Sequence, residues 1–239
     1  MKKLNFLQLF TLVSILVVGV SSCDSDSFSG EIEMTFDLTV DGETFERGTA
    51  YTINGTTVEF DNMGFYVGGI SFEGEQSTAV FQDKYLLVTP DNTSFNVGDL
   101  SKDTYNSISF FIGVDAATNS MSTEDFTTRP ESDPLAAQEY QMHWNWNTGY
   151  KFFRIDGRSD TDGDGVVDTD ITYHIGTNAL LGNIQLPVTS LDEEVQIQFD
   201  IAAFFNGVDF TTDVNTLTGN NPELAQRLVA NYAAAFSLQ

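Results

Sequence analysis

The chain predicts an all-β fold, a single β-sandwich or barrel-like domain with a C-terminal helix. Three observations carry this. Apolar residues alternate with polar ones over 31–40 and again over 194–201, the period of a half-buried strand. Asp41-Gly42 and Asn54-Gly55 are turn dipeptides of the two-residue hairpin kind. A helical period is legible only in the tail.

Taken in order, Glu31–Val40 places Ile32, Met34, Phe36, Leu38 and Val40 on one face, with acids and threonines between. Further strands are expected at Ala50–Ile53, Thr57–Phe60, Gly64–Phe72, Lys84–Val88 and Asn106–Gly113. Ser120–Leu135, with Pro130 and Pro134, reads as a long loop. Tyr140–Asp156, Ile171–Ile175, Asn183–Pro187 and Glu194–Phe205 complete the strands, the last with Val195, Ile197, Phe199 and Ile201 alternating against Gln196, Gln198 and Asp200. In the tail, Asn221 suits a helix cap and Pro222 the first helical position. Leu224, Leu228, Val229, Tyr232 and Phe236 form the apolar stripe.

Residues 1–22 read as a cleaved signal: Lys2 and Lys3, then an apolar run from Phe6 to Val20. The run ends at Val20-Ser21-Ser22-Cys23, which resembles a lipoprotein box and implies lipidation of Cys23 and anchoring to a membrane. Cys23 is the only cysteine, so no intramolecular disulfide is available. Residues 23–30, beginning Cys23-Asp24-Ser25-Asp26-Ser27, then form an acidic tether, leaving 31–239 as the folded domain. The tether resembles those of lipoproteins on the outer face of the outer membrane, and a solvated linker has the same composition. Removing two lysines from 10 basic residues leaves 8 against 35 acidic ones, a formal charge of −27. Such a charge excludes nucleic acid as a partner, whose phosphates demand a basic surface.

Both tryptophans and both histidines of the chain fall in Met142-His143-Trp144-Asn145-Trp146-Asn147-Thr148-Gly149-Tyr150-Lys151-Phe152-Phe153 and Tyr173-His174-Ile175-Gly176. As a strand, the first segment puts Met142, Trp144 and Trp146 on one face and His143 on the other. The tryptophans suit a core, and neutral imidazole is a good copper ligand. The two segments resemble the M-x-W-x-W-x-x-G-Y-K-F and H-[hydrophobic]-G motifs of the MbnP-like copper-binding proteins. Asp61–Ile70 resembles that family's early aromatic strand, and Ile108–Val114 its hydrophobic strand ending in glycine. The resemblance implies a secreted β-protein holding copper, with His143 and His174 as candidate ligands. It also implies that Trp144 or Trp146 is a candidate for oxidation to kynurenine, a change linked in the family to a dihaem peroxidase-like partner. The chain departs from the family pattern in having no histidine or methionine over Thr211–Pro222.

Were 140–156 and 171–175 a simple hairpin, paired numbers would sum to about 327, placing His174 opposite roughly residue 153. The two histidines would then stand about ten residues out of register, roughly 33 Å along the strand at about 3.3 Å per residue.

Asp160-Thr161-Asp162-Gly163-Asp164-Gly165-Val166-Val167-Asp168 has the carboxylate spacing of a calcium loop, with Gly165 permitting the turn. Asp160, Asp162, Asp164 and Asp168 are the candidate side-chain ligands and Val166 a backbone one. The twelfth position, Ile171, lacks the glutamate of an EF-hand, and the loop resembles those of thrombospondin type-3 repeats. An acidic hairpin tip without an ion has the same composition.

No G-x-S-x-G or H-E-x-x-H motif occurs, and no carboxylate pair stands out, so an enzyme is not expected. Two functions remain in view. One is a lipid-anchored copper-binding protein serving acquisition or storage. The other is a calcium-stabilised surface module without copper, binding a polysaccharide or protein through exposed aromatics such as Tyr66, Trp144 or Tyr150.

Overall fold

A computed structural model describes residues 27–137, 140–144, 149–217 and 219–239. Cys23 and Trp146 lie outside them. The first strand, β1 (Phe28–Val40), buries Ile32, Met34, Phe36, Leu38 and Val40, as their alternation dictates. It begins at Phe28, so the sheet takes in residues 28–30. Asp41 and Gly42 turn the chain with φ of 50° and 81° into β2 (Glu43–Thr44). Asn54 and Gly55, at 52° and 83°, join β3 (Ala50–Ile53) to β4 (Thr56–Gly74). Positive φ at both central residues gives a twist that matches the flanking strands.

The separately expected strands 57–60 and 64–72 are the single 19-residue β4, with a register shift at Phe60/Asn62. It is the hub of a nine-stranded sheet. β3, β5 (Thr78–Phe81) and β6 (Leu86–Val88) pair with one edge. The other edge is shared by β8 (Tyr105–Ile112), which follows β7 (Ser94–Asp103), and by β9 (Phe153–Ser159). β9 continues the sheet to β10 (Thr169–Ile175), while β11 (Gly182–Pro187) pairs with β8. The second sheet is built on β1, which takes β12 (Glu194–Asp200) in parallel and β7 antiparallel. β5 and β7 were not legible, because their polar residues interrupt the alternation that marks β1.

The sheets meet through phenylalanines. Phe65 of β4 lies 5.9 Å from Phe36 of β1 and 5.2 Å from Phe199 of β12, ring centre to ring centre. Two sequence expectations fail at the ends of elements. Asp200 caps Ala202 and Ala203 N–H groups, so Ile201–Phe204 is a short helix and not the end of a strand. The tail helix, Pro222–Ala235, has the expected Asn221 cap and buried Leu224, Leu228 and Tyr232, but Phe236 begins a closing strand on β12.

A second, smaller cluster lies on the opposite face of β4. Residues 63–68 are buried throughout, because Phe65 faces the main core while Tyr66 joins Leu87, Phe126, Leu135, Met142, Tyr150 and Phe152 under the excursion that links β8 to β9. That excursion carries a four-residue helix, Ala116–Asn119, just before the expected loop, and a five-residue one, Thr123–Thr127, inside it.

Candidate metal centre

Residues 140–144 and 149–152 do not continue β9 as a strand. The chain folds back: Trp144 N–H donates to the Gly149 carbonyl at 3.1 Å and Lys151 N–H to the Met142 carbonyl at 2.9 Å. Gly149 makes the turn possible at φ 79°, where a side chain would also strike Asn119. Asn119 Oδ1 then takes the Tyr150 N–H at 2.9 Å. The strand faces expected for Met142, Trp144 and His143 are therefore lost. Met142 is buried in the smaller cluster, and His143 and Trp144 are half-buried.

The fold-back brings Trp144 to the end of β10. Its Nε1–H donates to the Gly176 carbonyl at 3.1 Å, and its ring meets that of His174 edge-on, with centres 5.9 Å apart. Gly176 is required here. A Cβ at this position would lie 2.4 Å from the Tyr150 carbonyl oxygen and 2.8 Å from Trp144 Nε1. The glycines of the two motifs thus serve adjoining contacts, Gly149 against Asn119 and Gly176 against Tyr150 and Trp144. Lys151 Nζ sits 5.6 Å from the centre of the Trp144 ring and donates to the Gln141 carbonyl at 2.9 Å.

His174 is buried and pairs with Arg154 in register, close to the position the hairpin arithmetic gives. Its Nε2 is 2.7 Å from Asp156 Oδ1, and Arg154 Nε holds the other oxygen of that carboxylate at 2.5 Å. Burial lowers the proton affinity of His174, against the pull of Asp156. Burial works against the charged form of Asp156, but His174 and Arg154 outweigh it and hold the carboxyl below its ordinary range. The result is a neutral imidazole at neutral pH, oriented by a carboxylate, which is the usual surrounding of a metal-binding histidine.

His143 has different neighbours. Its ring lies tilted 3.9 Å from Phe126 and edge-on 4.8 Å from Tyr150, centre to centre, whereas His174 meets the ring of Trp144. Among the described residues, the two histidines do not enter a cluster of three His, Cys, Asp or Glu donors. Tyr66 and Tyr150 are buried, not exposed, so neither offers a ring to a surface ligand.

The Asp loop closes the β9–β10 hairpin. Ligand oxygens of Asp160, Asp162 and Asp164 lie within 4.8 Å of one another. Asp160 is fixed by the N–H groups of Gly163 and Gly165 at 2.8 and 3.0 Å. Asp168 stands apart from that trio, accepting from the Thr169 hydroxyl, and Val166 is exposed.

The MbnP family model matches residues 29–222, which is most of the folded domain. The chain belongs to the MbnP family. Among solved structures, MbnP from Methylosinus trichosporium is similar to it with a TM-score of 0.60 at 16% identity, covering 88% of this chain and 98% of that one. At that identity the likeness speaks for the fold alone. No curated protein sequence matches the chain.

In this MbnP-family protein the signature residues play separable parts. Gly149 and Gly176 allow the approach of two backbones, Tyr150 and Phe152 fill the smaller cluster, and Trp144 and Lys151 pack beside His174. Asp156 and Arg154 escaped the sequence reading. Their only signal is an acid and a base alternating on a strand beside the histidine motif, a pattern common on any solvated sheet face.

Proposed function

We propose that this MbnP-family protein binds copper as a lipid-anchored outer-membrane protein at the cell surface, serving copper acquisition or storage. One observation carries the reading: an indole and a carboxylate converge on the buried imidazole of His174, whose proton affinity burial lowers. This imidazole fits copper, for which neutral nitrogen donors are suited. His174 would hold the ion, Asp156 would keep the ring oriented, and Trp144 would shield it. His143 is a second ligand by its motif, although its ring packs on Phe126 and Tyr150.

The resemblance also suggests oxidation of Trp144 or Trp146 by a dihaem peroxidase-like partner, which intact-mass measurement of the native protein tests. Lipidation at Cys23 supplies the anchor, and Cys23→Ser should release the protein from membranes. We assign it no catalytic activity and no nucleic-acid partner. The Asp160–Asp164 carboxylates support a structural calcium site that steadies the hairpin carrying His174.

Copper titration of the purified protein tests the main reading. His174→Ala should abolish tight binding and His143→Ala should weaken it. A parent protein that binds no copper sinks the proposal.

A further inference from the structure

The turn between β6 and β7, together with Glu131, Ser132, Pro134 and Tyr140, lines a groove of about 570 Å³. That volume falls among pockets that accept small organic ligands. Three half-buried aromatic rings line it, those of Tyr85, Phe95 and Tyr140. Asp91, Asn92 and Asn96 add polar groups that are exposed to it. Met142, Trp144 and the histidines are not part of its lining.

We propose that this groove binds a neutral carbohydrate, a pyranose face lying on the Tyr140 ring and its hydroxyls bonded to Asp91, Asn92 and Asn96. The chemistry of the wall selects this class. Aromatic rings give apolar faces with polar edges, matching a sugar ring whose faces are C–H and whose rim is hydroxyl. Amides donate and accept, and carboxylates accept, so together they satisfy hydroxyls that do both.

Charge separates a sugar from its competitors. Asp91 is already ion-paired with Arg47 and accepts from the Tyr140 hydroxyl, and these contacts hold its carboxyl below the ordinary range. Its charge is balanced within the protein, while lone pairs on its oxygens remain for a neutral donor. A cationic ligand would compete with Arg47. An anionic one would meet Asp91 and Glu131, which outweigh the charge of Lys84 in the lining, on a chain of net charge −25.

The wall is also fixed before any ligand arrives. Tyr140 accepts from Arg47 Nη1 at 3.2 Å while donating to Asp91, and Arg154 Nη1 binds its backbone carbonyl. Phe95 is held edge-on by Phe36, with centres 6.3 Å apart, and Tyr85 leans over Gly68, where a Cβ would lie 2.7 Å from its ring. Side chains locked in this way lose little entropy on binding. The inference does not depend on the copper reading.

The test is saturation-transfer NMR on the purified protein with neutral oligosaccharides: malto-, cello-, xylo- and chito-oligomers. At least one series should receive saturation at its ring protons. Tyr140→Ala and Asn96→Ala should each weaken that binding about tenfold, equal to about 1.4 kcal/mol. Asn96 is exposed, so its variant keeps the fold, and Tyr140→Phe provides a second check by keeping the ring while removing its link to Asp91. That variant should weaken binding severalfold. No transfer to any series overturns the proposal, as does transfer that Asn96→Ala and Tyr140→Phe both leave unchanged. Binding of tetramethylammonium in place of the sugars, lost in the same variants, would make the groove a cation cage and also overturn it.

Discussion

Asp156 reaches His174 diagonally across two strands. Asp156 pairs with Thr172 and His174 with Arg154, yet Asp156 Oδ1 and His174 Nε2 are 2.7 Å apart. Diagonal neighbours on one sheet face are within reach of long side chains, and Arg154 turns the carboxylate inward by binding its second oxygen.

Under the copper reading, Asp156→Asn should weaken binding by about 10–100-fold, the usual cost of losing a partner that orients a ligand histidine. Circular dichroism should show the fold intact. Equal copper affinity in the variant and the parent would remove the orienting role.

Gly176→Ala should destabilise the domain by about 1–3 kcal/mol, because overpacking forces the backbone to shift. The new methyl meets the Tyr150 carbonyl oxygen at 2.4 Å, a contact that no side-chain rotation relieves. The urea midpoint should fall and the emission of Trp144 should change. An unchanged midpoint would show that the two segments pack less closely than described.

Burial pushes the Lys151 amine down to about 8 from 10.5, aided by Arg154 and opposed by Asp156. Between these values the unfolded chain holds a proton that the native one releases. This group's contribution to stability therefore grows as pH rises through the window, and below it stays at its lower level. Above pH 10 the buried Tyr173 and Tyr232, both raised by desolvation, act in the opposite sense. Denaturation at pH 8 to 10 should show the rise, and Lys151→Met should flatten it while adding on the order of 1 kcal/mol near neutrality. A variant with the parent's slope would assign the effect elsewhere.

Calcium at about 100 times its dissociation constant stabilises a one-site protein by about 2.7 kcal/mol. For a domain of this size, the melting temperature should rise by roughly 5–10 °C. Asp160→Ala should abolish the shift, because Asp160 both anchors the loop backbone and offers a ligand oxygen. A parent protein that melts at the same temperature with calcium and with chelator has no such site.

The Tyr232 hydroxyl is buried and finds no hydrogen-bond partner among the described residues, amid Phe153, Phe204 and Phe236. Tyr232→Phe should be neutral or stabilising by up to about 1–2 kcal/mol, since it removes an unsatisfied polar group and leaves the ring. A loss of more than about 1 kcal/mol would reveal a partner for that oxygen.

Local chemistry made much of this protein legible in its sequence. Alternation exposed the core faces of β1 and β12, positive-φ dipeptides fixed two hairpins, and Asn221-Pro222 started the tail helix. Neighbouring residues suffice to encode each of these, and they also limited the fold to a β-sandwich or barrel-like domain. The scarcity of tryptophan and histidine marked the two segments that meet at the candidate centre. Their meeting was decided elsewhere. A two-residue period extends a strand through 140–156, whereas the chain folds back, with Gly149 at positive φ and Tyr150 and Phe152 buried beside Tyr66. That turn sets Trp144, rather than His143, against His174 and hides the tyrosines expected at the surface. The parallel pairing of β1 with β12 and the reach of Asp156 to His174 likewise join residues whose register is set by burial across the whole domain. Periodicity says which face of a strand is apolar; only packing against distant strands selects its neighbour.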